Sequence, residues 1–157
     1  MRKSVFWCVL VILFWCGFVC AVEPPPVWID VPFVKQEKNG CGAASIAMVM
    51  QFWERQQGRS LTPESDSAEI QRALYSPDAH GVYATEMERY LRLRGFRTFV
   101  FEGTSDDLQQ HLGKGRPLIV ALKPGAGTPL HYVVVTGIDL EHKLVLVNDP
   151  AQRKLLK

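Results

Sequence analysis

Three of the four cysteines, Cys8, Cys16 and Cys20, fall in the first 20 residues, and Cys41 stands alone in the rest of the 157-residue chain. Whatever residues 22–157 fold into, no internal disulfide and no CxxC-type metal cage can hold it together. A single apolar core has to do so, and a stretch of this length suits one domain with one core. Of the 18 lysines and arginines, only Arg2 and Lys3 precede residue 22, so the remainder balances the 16 acidic residues. With no basic tail or stripe, a nucleic-acid partner lacks its electrostatic footprint.

The other three cysteines belong to a segment with its own pattern. Arg2 and Lys3 form a short basic head, Val5 to Val19 is apolar apart from Gly17, and Val19-Cys20-Ala21 ends on a small residue. Residues 1–21 therefore read as a signal peptide cleaved after Ala21. A retained membrane anchor is the alternative, because Ser4 to Val22 is uncharged and close to the ~20 residues that span a bilayer. A lipoprotein would use Cys20, behind the bulky Val19. Residues 22–27, with Pro24, Pro25 and Pro26, read as an extended spacer. Residues 28–157 are then the working domain. It is expected outside the cytoplasm, either periplasmic or secreted, or tethered to the outer face of the membrane. A lone thiol in such a compartment is a liability unless it is buried or put to use.

Within that domain, Trp28 to Phe33 reads as a short strand or extended lead-in, and Lys35 to Gly40 as a loop. Cys41 to about Gln57 has helical spacing through Ala43, Ala44, Ile46, Ala47, Met50 and Trp53, and Gly58 stops it. Thr62-Pro63-Glu64 starts a second helix. Thr85 to Glu88 matches a capping box for a third that ends at Gly95. Phe96 to Phe101 reads as a strand, and Thr104 or Ser105 caps a short helix through Leu112. After it come strands at Pro117 to Leu122, His131 to Ile138 and Lys143 to Asn148, the last two flanking a turn at Asp139 to His142. Helices first and an antiparallel sheet second is an α+β order.

The chemistry starts at Cys41. A glycine-containing loop delivers it to the first turn of a helix, where unpaired N–H groups and the helix dipole favour thiolate over thiol. Gly40 and Gly42 leave the sulfur uncrowded for a substrate backbone, and the Cys41 N–H can face a developing oxyanion. The bland alternative is a small buried core cysteine. A thiolate nucleophile needs a base. His80, His111 and His142 sit in loops or near a helix end and read as solvated surface residues, whereas His131 opens a strand beside a flexible loop. Folding the hairpin about Asp139 to His142 sets His131 opposite residue 149 or 150, at the roughly 4.5–5.5 Å of cross-strand neighbours. Asp149 can then orient the imidazole. Asn148 competes for that role, since cysteine triads also use an amide, and either residue could simply signal a turn. Gln36, in the incoming loop, could add a second oxyanion donor or be an exposed loop glutamine.

Several blocks together resemble the bacteriocin-processing, double-glycine leader peptidases, a family in the papain-like clan. They are Val31-Pro32-Phe33-Val34-Lys35-Gln36, Cys41 to Val49, His131 to Gly137, and Val147-Asn148-Asp149-Pro150. They occur in the family's order over nearly all of residues 28–157. The resemblance implies a papain-like fold, in which a helix bearing the nucleophile packs on an antiparallel sheet. It also implies peptide-bond hydrolysis with Cys41 as nucleophile, His131 as base, Asp149 as orienting acid and Gln36 at the oxyanion. It implies a peptide or protein substrate, no cofactor or metal, and an ABC exporter as partner. No GxxxxGK[ST] loop occurs in these 157 residues, so the exporter's ATPase is not in them. The same thioester chemistry would serve an amidase or acyltransferase, and a peptide-binding module without catalysis is a further alternative.

Overall fold

The computed structural model describes residues 25–123 and 125–152. The leader at 1–21 and residues 22–24 of the spacer lie outside them, as do residues 153–157.

Strand β1 (Val27–Trp28) comes first, followed by α1 (Cys41–Gln56), a 3₁₀ turn (Pro63–Ser65), α2 (Ser67–Leu74), α3 (Ala84–Leu93) and α4 (Ser105–Gly113). Strands β2 (Leu118–Leu122), β3 (His131–Asp139) and β4 (Leu144–Asn148) complete the order. The α+β arrangement expected from the sequence is the one observed. All strand pairings are antiparallel and all involve β3. β4 runs along Val134 to Asp139. At Ile138, β3 pairs with both β4 and β1, and at Val134 with both β4 and β2. A strand has only two edges, so β1 and β2 share the edge opposite β4.

Helix α1 is central because it is apolar on nearly every side. Eleven of its 16 residues are buried. Ala43, Ile46, Ala47 and Met50 pack with Ile70 of α2 and Met87, Tyr90 and Leu91 of α3. Met48, Val49 and Phe52 pack with Val134, Val135 and Ile138 of β3, together with Leu112 of α4. A helix buried all round in this way draws its stability from packing rather than from propensity. It ends at Gln56 with Gln57 as its cap, and Gly58 then adopts φ +65°, a conformation open to glycine at little cost.

Three local expectations are corrected. Thr85 does not cap α3: the helix already begins at Ala84, with Tyr83 as its cap and no side-chain capping bond. Asp66 caps α2 through Ala68 N–H and Glu69 N–H, and Thr104 with Asp107 forms the capping box of α4. Phe96 to Phe101 is not a strand. Its residues carry β-formers but lie on no strand edge, and β structure is stabilised by cross-strand neighbours more than by intrinsic preference. The hairpin register also differs. Asp139 pairs with Leu144, and a bulge lies between Val135 and Gly137, opposite Val147 and Leu146. The turn is therefore Leu140 to Lys143, braced by His142 N–H donating to Asp139 Oδ1 at 3.0 Å. That bond and a second from the His142 ring hold the Asp139 carboxyl below its usual range. Gly137 at the bulge is required: a Cβ there would sit 2.6 Å from the Val27 carbonyl oxygen.

Candidate active site

Three segments carry the candidate residues: His131 and Asp149 are in direct contact, and Cys41 is linked to the start of β3 through Tyr132, whose apolar cluster it packs against. The first is the loop into α1. Gly40 N–H donates to the Glu37 carbonyl, and Gln71 Nε2 of α2 donates to the Lys38 carbonyl at 2.8 Å, so the loop is held from both sides. The helical ladder starts with Ala44 N–H donating to the Gly40 carbonyl. The N–H groups of Cys41, Gly42 and Ala43 thus precede the ladder, at the positive end of a 16-residue helix. Cys41 is a free, partly exposed thiol.

The glycines beside it have a different reason from the one expected. A Cβ on Gly40 would lie 2.4 Å from Gln71 Oε1, and one on Gly42 would lie 3.1 Å from Val82 Cβ. Both glycines are buried. They allow protein to close on the first turn of α1 from the inside rather than clearing a path for substrate.

The second segment is the start of β3. His131 Nε2 lies 2.8 Å from Asp149 Oδ1, with about a quarter and a fifth of the two side chains exposed. A carboxylate oxygen accepts, so Nε2 carries the proton and Nδ1 keeps its lone pair in the neutral ring. The next residue, Tyr132, is buried and belongs to the same apolar cluster that Cys41 packs against. Burial raises the Tyr132 phenol above its ordinary range, and the nearby Cys41 adds to that rise.

The third segment is the exit from β4. Asp149 was expected directly opposite His131, but the observed register continues Val134↔Asn148 and Val135↔Val147, which sets Asp149 level with Val133. The His131 ring and the Asp149 carboxylate meet along the diagonal instead, a separation that an aromatic ring can bridge. The same Oδ1 accepts Ala151 N–H at 2.9 Å, which fixes the carboxylate in a turn with Pro150. Asn148 faces away. It is 1% exposed, and its Nδ2 donates to the Val31 carbonyl at 3.1 Å. Of the two candidates, the structure brings Asp149 to His131 and gives Asn148 to the core.

Gln36 is joined to this end of the site through its backbone, whose N–H donates to the Pro150 carbonyl at 3.0 Å. Its side-chain Oε1 is buried with no hydrogen-bond partner among the described residues, an uncommon state for a buried polar atom. The other histidines lie apart from the His131–Asp149 pair. His111 stacks on Phe101 and His142 closes the hairpin turn. His80 was read as a surface residue. It is exposed, at φ +48° in a turn, yet it lines the cleft beside Cys41. That cleft, with Val82, Leu130 and Tyr132 in its wall, was not visible in the sequence. Its lining comes from three segments far apart in the sequence, around Cys41, at 79–85 and at Leu130 and Tyr132, and no local pattern at 79–85 reveals that it meets the other two.

Among the described residues, no group of three or more His, Cys, Asp or Glu is placed to hold a metal ion, and no helix is long and apolar enough to cross a membrane. A family profile described as "Peptidase_C39 like family" matches residues 28–156. No curated protein and no solved structure matches the chain.

Proposed function

This chain belongs to the Peptidase_C39-like family, and from that premise we propose that it is a cysteine peptidase working through Cys41, His131 and Asp149. Family membership points to peptidase chemistry and agrees with the papain-like α+β fold. The observation that carries the assignment of roles is the 2.8 Å contact between His131 Nε2 and Asp149 Oδ1. It leaves Nδ1 as the nitrogen able to exchange a proton with a thiol.

The steps follow from that geometry. Cys41 Sγ attacks a peptide carbonyl, and its proton passes to His131. The negative oxygen that develops is met by the Cys41 N–H at the head of α1 and by the Gln36 amide. His131 returns the proton to the leaving amine, Asp149 supporting the imidazolium in between. Water, deprotonated by the same histidine, then releases the acyl group from sulfur. The substrate is a peptide or protein segment presented in extended form. The expected site of action remains outside the cytoplasm. Finding Val22 at the N-terminus of the exported protein would support it, and full-length protein in the cytosol would refute it in favour of work beside an exporter's inner face.

A peptide library incubated with the purified chain and read by mass spectrometry tests the activity. The expected result is pairs of fragments whose masses sum to the parent plus one water. Ligated or amine-modified products would instead assign acyl transfer. An intact library, with Cys41 unmodified, would leave a binding module.

A further inference from the structure

The three most exposed large apolar side chains among the described residues all lie between residues 93 and 100: Leu93 at 76%, and Phe99 and Val100 at 73% each. The segment that carries the last two is held at both ends. Phe96 N–H donates to the Leu91 carbonyl at 3.1 Å, and Phe96 packs against the apolar cluster around α1. Arg92 Nε–H donates to Thr98 Oγ1 at 2.9 Å, which ties the chain back to the end of α3. Phe101 stacks on His111 of α4, with ring centroids 5.6 Å apart. Phe99 and Val100 project from between these fixed points. The charge around them is one-sided. Arg89, Arg92, Arg94 and Arg97 lead up to them, and Glu102 is the single acid between Arg89 and Thr104. Arg89 and Arg92 are paired with Glu86 and Glu88. Arg94 lies over the Tyr90 ring, and the Arg97 guanidinium lies 6.0 Å from the centroid of the Phe99 ring. α4 ends at Gly113, and the N–H groups of Lys114 and Arg116 both donate to the carbonyl of His111, the residue on which Phe101 stacks. Arg94, Arg97, Lys114 and Arg116 are all exposed, and none is in an ion pair among the described residues.

We propose that residues 93–101 dock on an anionic phospholipid bilayer. Leu93, Phe99 and Val100 enter the boundary between headgroups and acyl chains, and Arg94, Arg97, Lys114 and Arg116 meet lipid phosphates. An apolar tip with a cationic fringe matches that boundary. Apolar side chains gain burial there, while arginine and lysine keep their charge among the headgroups. The negative potential of such a surface attracts each cation. A second copy of this chain fits the face less well, because it would bring the same arginines against one another. A bilayer is also where the sequence directs the chain: Ser4 to Val22 is the uncharged run that reads as signal peptide or anchor. The inference stands apart from the peptidase reading. It adds where such an enzyme meets its substrate, at a lipid surface rather than in bulk solution.

Photo-crosslinking locates the contact on the full chain. The vesicles contain equal parts of phosphatidylglycerol and phosphatidylcholine, with a trace of phosphatidylcholine bearing a diazirine on its acyl chain. After irradiation and tryptic digestion, mass spectrometry identifies the peptides that carry lipid. Adducts are expected on the peptide that holds Phe99 and Val100. Adducts within residues 1–21 serve as the internal standard for lipid binding by the apolar leader. Relative to that standard, Phe99→Ser/Val100→Ser should lower the yield on the Phe99 peptide about tenfold or more, and Phe99→Leu should retain it. Arg97→Gln should lower it about fivefold, and vesicles of phosphatidylcholine alone by more. Circular dichroism checks that each variant is folded. Adducts confined to residues 1–21, or a yield on the Phe99 peptide indifferent to these changes, would overturn the proposal. So would sedimentation of the lipid-free chain as a dimer that Phe99→Ser/Val100→Ser dissociates, which would assign the face to a second copy.

Discussion

Two apolar stretches of this chain meet opposite fates. Ile46 and Met48 in α1 have no exposed surface, whereas Phe99 and Val100 are each 73% exposed. Both stretches are rich in large apolar side chains, so hydrophobicity alone does not distinguish them. The difference is what lies on either side. α1 has helices against one face and the sheet against the other, and its small residues let both approach. Phe96 to Phe101 lies on no strand edge among the described residues, and its β-forming side chains do not make a strand alone. The sheet that carries His131 and Asp149 is anchored on the first region, and the candidate site sits at the end of that anchor.

The contrast can be broken by truncating each region. Ile46→Ala opens a cavity between the α2–α3 layer and α1, and should lower unfolding free energy by about 2–5 kcal/mol in urea denaturation. A loss of only a few tenths would mean that α1 is not the anchor. Asn148→Ala should cost somewhat less, about 1–3 kcal/mol, because it leaves the buried Val31 carbonyl without its donor. A neutral result would mean that the segment leading to Gln36 is held by other contacts. Phe99→Ser should have the smallest effect, within about 0.5 kcal/mol. A large loss there would show that the exposed stretch is packed in solution.

The same contrast explains what could be read from the sequence. The bounds of α1 were legible to within a residue, because Gly40 and Gly58 bracket a helical pattern whose partners lie all around it. The cap of α4 was legible as Thr104 or Ser105, and the local partner Asp107 decides for Thr104. The strand expected at Phe96 to Phe101 failed because pairing is decided by distant chain. The pairing of Asp149 with His131 was reached by an argument that was partly wrong. A turn one residue later and the bulge near Gly137 moved the register, and the flexible reach of the carboxylate made up the difference. The packing role of Gly40 and Gly42 depended on Gln71 and Val82, whose places no local pattern reveals. The tie from Gln36 to Pro150 spans most of the domain and has no sequence signature.

The central claim is that Cys41, His131 and Asp149 act as one unit in peptide-bond hydrolysis. Its most direct test is kcat on a cleaved peptide for Cys41→Ala and for the Cys41→Ala/His131→Ala double variant, with folding checked by circular dichroism. The account predicts a fall of about 10⁴-fold or more for the single variant and no further fall for the double, because members of a catalytic unit are not additive. Turnover by Cys41→Ala within about tenfold of the parent chain, or a large additional loss in the double variant, would contradict it.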